Sequence, residues 1–279
     1  MTTRQTSDLP HSEITDYVER VRSYYDRTNS AYLKCVGTTF QAGLLNPAQS
    51  KDALASASNL YLATQAGIQP GDHILDAGCG VCGPSIDMAL HFEGLTIDAI
   101  TISPAQAKTA KKRVEEAGLS KRIKVHLADY HKLSFEDNQF DVVMFLESAG
   151  YSYNQRQLFS GVSRVLRPGG KLYIKDVFKN EGPLSPRQQE ALDIKNEAYV
   201  YRTETISQTE QTLREIGFQE IQSRDLNALI DPDHVPNCFL RTYNGRRLLT
   251  EFALFHYRLL TLKEPVPAGY GEVKAIKPL

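Results

Sequence analysis

One segment constrains the fold more than any other: His73-Ile-Leu-Asp-Ala-Gly-Cys-Gly-Val-Cys-Gly-Pro-Ser85. Ile74 and Leu75 end a short apolar run, as a buried strand does. Gly78, Gly80 and Gly83 then let the backbone turn tightly. Pro84 suits the first position of a helix, where its missing N–H costs nothing. A strand, a glycine turn and a helix N-terminus together make a nucleotide-binding corner.

The glycines spell G-x-G-x-x-G, so a dinucleotide must be weighed first. Asp76 counts against it, because a carboxylate beside the turn repels a pyrophosphate. The second strand counts against it too. A dinucleotide fold places a ribose-binding acid about 20 residues on. Here the strand Leu95–Ile102 ends in Thr101, Ile102 and Ser103, and its Asp98 lies mid-strand. The ligand that fits a carboxylate beside a bare glycine turn carries an ammonium group and no phosphate. S-adenosylmethionine, with its amino-acid tail, is such a ligand.

The 279 residues are 41% hydrophobic and 23% charged, enough for one soluble domain with a substantial core. A net charge of −1 without a long basic run argues against nucleic acid as a partner. No apolar stretch reaches the length of a bilayer span. The N-terminal residues lack an apolar signal core, which predicts a cytoplasmic protein. Cys35, Cys79, Cys82 and Cys238 suggest no disulfide framework, and no spaced Cys or His set completes a metal site.

Strands and helices alternate, which predicts an α/β fold with a mostly parallel sheet and helices on both faces. Strands are predicted over His73–Asp76, Leu95–Ile102, Ile123–Leu127, Phe140–Leu146, Lys171–Phe178 and Phe218–Ser223. Helices are predicted over Pro84–His91, Pro104–Ala117, Gln155–Leu166, Pro186–Val200 and Ser207–Ile216. Residues 1–66 read as an N-terminal helical lid. Its first helix is capped by Ser12 and broken within Arg27–Tyr32, and its second runs from about Ser50 to Ala66. Residues 67–279 form the ligand-binding domain, with helical insertions at 180–205 and 225–265. The second insertion places Leu248, Leu249, Phe252, Phe255, His256, Leu259 and Leu260 at helical spacing, either roofing a site or facing the core or a second copy.

Asp76-Ala-Gly-Cys-Gly80 resembles the first motif of the class I S-adenosylmethionine-dependent methyltransferases, and Thr101-Ile-Ser-Pro-Ala-Gln106 resembles a segment of one branch. That branch contains sterol, tocopherol, cyclopropane-fatty-acid and prenyl C-methyltransferases. Leu127-Ala-Asp-Tyr130 is similar to its adenine-binding segment, and Leu166–Leu172 to its turn into the fifth strand. The resemblance implies a Rossmann-like fold of seven strands, the last antiparallel at the sheet end and best matched by Gly271–Lys277. It implies that Asp76, Gly78, Gly80, Thr101, Ile102, Gln106, Asp129 and Tyr130 bind the cofactor, with Tyr25 of Tyr24-Tyr25-Asp26 closing over it. Phe40 and Gln41 match a segment near the substrate mouth, and Tyr153, Phe252 and His256 are further candidates for the acceptor. Tyr25 and Tyr151 are candidates for cation-stabilising aromatics.

Glu147 is the candidate catalytic acid–base. It ends the apolar strand Phe140–Leu146, and open α/β sheets bind ligands at the carboxyl ends of their strands. In the sterol and prenyl branch a matching Glu faces the carbocation formed by methyl transfer. The implied function is C-methylation of an isoprenoid double bond, in a prenyl diphosphate or a prenylated natural product. The enzymatic alternative is O- or N-methylation of a small phenol or amine, for which a His base at the same edge would be expected, and no His follows strand four. A dinucleotide oxidoreductase and an idle binding module are the remaining rivals, the latter recognisable by a missing pocket above Gly78 and Glu147. The partner is a small hydrophobic acceptor. Homo-oligomerisation stays open, and Arg241, Arg246 and Arg247 read as a solvated basic face or a diphosphate site.

Overall fold

Burial on both faces of the central strands decides how this chain layers. In the computed structural model, residues 10–35, 37–39, 51–229, 258–259 and 261–279 are described. Parallel strands β1 (His73–Ala77), β2 (Thr96–Thr101), β3 (Ile123–Leu127), β4 (Phe140–Leu146) and β5 (Leu166–Lys179) form most of one sheet. β6 (Gln219–Asp225) and β7 (Ala268–Ile276) complete it, in the order β3-β2-β1-β4-β5-β7-β6. Successive residues of a strand face opposite sides. Ile74, Val142, Met144 and Tyr173 join one core with α2 (Lys51–Gln65), α3 (Gly83–His91) and α4 (Pro104–Glu116). Leu75, Val143, Phe145 and Ile174 join the other, beneath α5 (Gln155–Val165) and α7 (Ile206–Ile216). The strands are apolar on both sides because both sides are covered.

The last strand departs from expectation. β7 is antiparallel, as the resemblance implied, yet it does not end the sheet. It inserts between β5 and β6, antiparallel to both, and leaves the largely exposed β6 as the edge. Val273 and Ala275 are buried in the second core, so β7 takes the inner position and the polar strand Gln219–Asp225 the outer one. Strand β5 also starts five residues earlier than predicted, at Leu166, and its register against β4 shifts between Phe140 and Val142.

The first helix is a second departure. α1 runs unbroken over His11–Cys35, through the segment Arg27–Tyr32 that reads as a break. The polar side chains there are satisfied inside the packing. Thr28 Oγ1 donates to the Tyr24 carbonyl one turn back (2.8 Å), the Tyr24 and Tyr32 hydroxyls meet at 2.7 Å, and Asn29 Nδ2 donates to Thr109 Oγ1 of α4 (3.3 Å). Nor is Ser12 the cap: the helix starts at His11, and the Pro10 carbonyl accepts from the backbone N–H groups of Glu13 and Ile14. α6 (Pro186–Tyr199) opens with a capping box, Ser185 and Gln188 bonding each other's backbone N–H, and ends at Val200, which packs with Val21, Tyr24 and Tyr32 of α1.

Asp98 of β2 ties three strands together. The Nε2 atoms of His73 (β1) and His126 (β3) lie 2.7 and 2.6 Å from its two carboxylate oxygens. Burial pushes this carboxyl upward, but the two imidazoles outweigh it and hold it below the usual carboxylate value. A carboxyl depressed on folding contributes stability that is complete above the ordinary carboxylate range and is lost as pH falls through the lowered value. Asp98→Asn is therefore expected to cost about 1–2 kcal/mol at neutral pH, with the difference from the unmodified protein closing in acid. Urea unfolding at pH 7 and pH 3 measures both, and an equal difference at the two pH values contradicts the assignment.

Candidate active site

The order β3-β2-β1-β4-β5 makes the chain leave β1 in one direction for β2 and return on the other side as β4. The crevice at that divergence, at the strands' carboxyl ends, is where open α/β sheets hold ligands. A cavity of about 730 Å³, counting its mouth open to solvent, lies there. Its wall comes from Gly78 and Gly80 after β1, Thr101 and Ile102 at the end of β2, Asp129 and Tyr130 after β3, and Glu147 after β4. Tyr17, Val18, Val21 and Tyr25 of α1 close it from above, and Gln106, Tyr151 and Tyr153 also line it. A pocket above Gly78 and Glu147 removes the ground for an idle binding module.

The β1 turn needs its glycines for reasons the structure makes specific. Gly78 has φ +101°, a conformation that side chains disfavour, and a Cβ there would lie 2.4 Å from Ser148 Cβ. The Gly78 and Cys79 N–H groups both donate to the Ile100 carbonyl, at 3.0 and 2.9 Å. Ser148 Oγ donates to the Ala77 carbonyl at 2.6 Å, so the ends of β1 and β4 are stitched directly. Cys79 and Cys82 are free and buried within this turn.

Asp76 does not line the main cavity. It belongs to β1 itself, is almost wholly buried, and accepts a hydrogen bond from the Ser85 hydroxyl of α3. It lines a smaller recess of about 320 Å³, with Thr38, Cys79 and Pro84, that shares Gly78, Gly80 and Leu146 with the main cavity. Burial pushes its pKa up to about 6, and the Ser85 bond pulls the other way.

The second corner holds a buried donor without a partner among the described residues. Thr101 Oγ1 donates to Gln106 Oε1 at 2.8 Å, and Ser103 Oγ caps α4 by accepting from Gln106 N at 3.1 Å. Among the described residues Gln106 Nε2, buried on a residue that lines the cavity, meets no partner. A buried amide N–H left unmade costs free energy, so this position is suited to a ligand acceptor. Asp26 of α1 clasps the same corner, accepting from Ser103 Oγ (2.5 Å) and Ala105 N (3.1 Å).

A histidine does reach the cavity, although none follows β4. His131, unrecognised in the sequence, lies in the turn after β3 and lines the pocket. Its Nδ1 is 2.8 Å from Asp129 Oδ1, its Nε2 is 2.8 Å from Ser152 Oγ, and its ring stacks on Tyr153 at 3.7 Å. Burial pulls His131 down, against the opposing pull of Asp129. Both ring nitrogens are occupied, so it holds Asp129 rather than standing ready as a base. The pairing Asp129–His131 was legible only as two polar residues flanking Tyr130.

Glu147 terminates β4 with φ +54°, in the left-handed region, and its N–H donates to the Lys175 carbonyl at 2.7 Å. Its carboxylate pairs with the Lys175 ammonium of β5, a side chain fully removed from solvent. Nothing in the sequence pattern singled out Lys175. Tyr25 and Tyr151 meet edge to face at 5.3 Å, and Tyr151 meets Tyr201 at 4.6 Å. Phe40, Gln41, Phe252 and His256 lie outside the described residues, as do Arg241, Arg246, Arg247 and nearly all of the proposed roof helix. Among the described residues, no cluster of three His, Cys, Asp or Glu is gathered as for a metal ion, and no helix is long and apolar enough to cross a membrane.

Comparison with known proteins agrees with this geometry. Residues 75–174 match a methyltransferase-domain family. A sterol 24-C-methyltransferase of Saccharomyces cerevisiae is 28% identical over 228 residues, covering 80% of this chain and 59% of that protein. The chain thus spans about three fifths of that relative's length. In fold it is similar to the [4+2]-cyclase SpnF, with a TM-score of 0.78 at 23% identity over 94% of this chain and 96% of the other. It is also similar to geranyl diphosphate C-methyltransferase from Streptomyces coelicolor A3(2), solved with Mg2+, geranyl diphosphate and S-adenosyl-L-homocysteine. That TM-score is 0.72 at 17% identity, over 94% and 98% of the two chains. At these identities the two solved structures establish the fold.

The Gly78–Ser148 approach can be tested without any ligand. Gly78→Ala should lower stability by about 2–3 kcal/mol, from positive φ plus overpacking. Gly118→Ala, also at positive φ (+69°) but with nothing within 4 Å, should lose only about 1 kcal/mol. Equal losses in denaturant titrations would remove the steric argument.

Proposed function

Given a class I S-adenosylmethionine-dependent methyltransferase domain that resembles the sterol and isoprenoid C-methyltransferase branch, we propose that this protein methylates carbon at an isoprenoid double bond in a small hydrophobic acceptor. The observation that carries the proposal is the position of Glu147. It ends β4 in the wall of the same cavity as the β1 glycine turn, with Tyr25 and Tyr151 beside it.

The residues present fit the cofactor. The Asp76 recess under the turn suits an ammonium group, and Gln106 Nε2 supplies a donor for ribose hydroxyls. Asp129 and the Tyr130 backbone stand where the adenine edge would lie, at the mouth of β3. Tyr25 of α1 closes the cavity from the lid side. When bound, S-adenosylmethionine supplies an electrophilic methyl group on a sulfonium.

The chain's own task is positioning and charge. An alkene is a weak nucleophile, so alignment of the reacting carbon with the methyl group provides much of the rate. As the new C–CH3 bond forms and the S–CH3 bond breaks, the acceptor becomes a carbocation. The faces of Tyr25 and Tyr151 attract such a charge at short range. Glu147 stabilises it electrostatically and then accepts the proton whose loss regenerates a double bond. The fold alone does not assign this chemistry, since a similar fold belongs to a [4+2]-cyclase; the strand-end carboxylate is what supports the reading. A heteroatom acceptor finds less support, because the pocket histidine is bonded through both ring nitrogens.

Glu147→Gln should lower turnover at least roughly a hundredfold and leave S-adenosylhomocysteine affinity within about threefold. Turnover is read with methyl-labelled cofactor and isoprenoid acceptors, with the labelled position located by NMR. Undiminished turnover in this variant, or a methyl group on oxygen or nitrogen, would refute the proposal.

A further inference from the structure

Carbocation chemistry asks for a carboxylate beside the acceptor, yet Glu147 does not stand as a lone anion. Behind it lies Lys175, on the neighbouring strand and completely buried. A buried lysine is costly unless paired, so its retention under the cavity calls for a reason. The contacts are specific. The Lys175 ammonium pairs with Glu147 Oε1, the Lys175 carbonyl accepts from the Glu147 N–H at 2.7 Å, and Nζ lies 4.8 Å from the Tyr270 ring centroid. Backbone and carboxylate of Glu147 are thus held by one residue, at a backbone conformation of φ +54° that such a residue rarely adopts unaided. Glu147 lines the cavity and Lys175 does not, so the pair forms a dipole whose negative end faces the acceptor.

We propose that Lys175 is a positioning and specificity-determining residue, which aims Glu147 and balances its charge so that the cavity selects an acceptor that is neutral before reaction. This rests on the reading of Glu147 given above. A lone carboxylate attracts any cation in the ground state, including a protonated amine. A dipole attracts more weakly at a distance and still stabilises a positive charge that develops against its negative end. The stabilisation then falls mainly on the transition state, where it accelerates the reaction. Replacing the ammonium removes the balance and turns the site into a general cation pocket.

The test uses the full chain saturated with S-adenosylhomocysteine, with N,N-dimethyldecylamine, cationic at pH 8, as the probe in calorimetry. Lys175→Met should bind the probe at least tenfold more tightly than the unmodified protein. The double variant Glu147→Gln/Lys175→Met should show no gain, and Lys175→Arg should behave as the unmodified protein. With an accepted isoprenoid acceptor, Lys175→Met should lose at least tenfold in kcat with the cofactor KM unchanged, and Lys175→Arg should recover it. A merely structural lysine would alter stability without creating affinity for cations. Should Lys175→Met not fold, Lys175→Gln carries the same expectation. Unchanged probe affinity in the folded variant overturns this inference alone; full turnover in Glu147→Gln overturns the C-methylation reading, while the affinity measurement stands by itself.

Discussion

The close approach of two strand ends underlies the site. Where β1 and β4 diverge, Ser148 occupies the space that a side chain at position 78 would need, and its hydroxyl binds the Ala77 carbonyl. The glycine turn after β1 and the strand-end carboxylate are therefore one rigid unit. Gly78 and Glu147 both take left-handed backbone conformations, on either side of this stitch. Strained backbone persists only where its surroundings over-determine it. Here the two N–H bonds to Ile100, the Ser148 bond and the Glu147 bond to Lys175 do so.

Carboxylates in and beside the cavity each have a fixed side-chain partner. Asp76 takes a hydrogen bond from Ser85, Asp129 is held by His131, and Glu147 pairs with Lys175. Asp176, next to Lys175 but on the opposite face of β5, accepts from Tyr201 and from the Gly150 N–H. Burial and partnership pull in opposite directions, and the outcome differs from site to site. At Asp76 and Asp176 burial prevails, and the pKa values rise to about 6 and about 7. At Asp129 burial also pushes upward, but His131 outweighs it and the carboxyl stays ionised more readily. Carboxyl groups of different readiness to protonate thus lie close to one another around the strand ends, each tuned by its own partner.

The N-terminal helix belongs to this arrangement as a closing element. Asp26 caps α4 jointly with Ser103, so the helix that brings Tyr17, Val21 and Tyr25 over the cavity is fastened to the corner that carries Gln106. Tyr17 adds a hydrogen bond to the Val200 carbonyl beyond α6. Its aromatic face serves the hydrophobic interior and the site alike, since Tyr24 packs against Tyr25, Tyr32 and Tyr199.

How much of this was legible depends on the range of the interaction. The glycine turn, the Thr101-to-Gln106 corner and the strand-end Glu147 were readable because their meaning is local: a backbone bend, a cap, a position at the end of an apolar run. Strand and helix alternation was readable for the same reason, through side-chain periodicity. Charge partners were not. Lys175 reads as a polar interruption in an apolar strand and His131 as part of a loop, because neither shows in one dimension what it faces. The continuity of α1 was hidden likewise, since Thr28, Asn29 and Tyr32 look like breakers until α4 and Tyr24 supply their hydrogen bonds. By itself the sequence determined a mostly parallel α/β sheet with a bare glycine turn at the carboxyl end of its first strand. The tertiary structure alone decided that β7 enters between β5 and β6 and that a buried ammonium backs the cavity-lining carboxylate, because strand order and ion pairing are set by contacts between residues far apart in the chain.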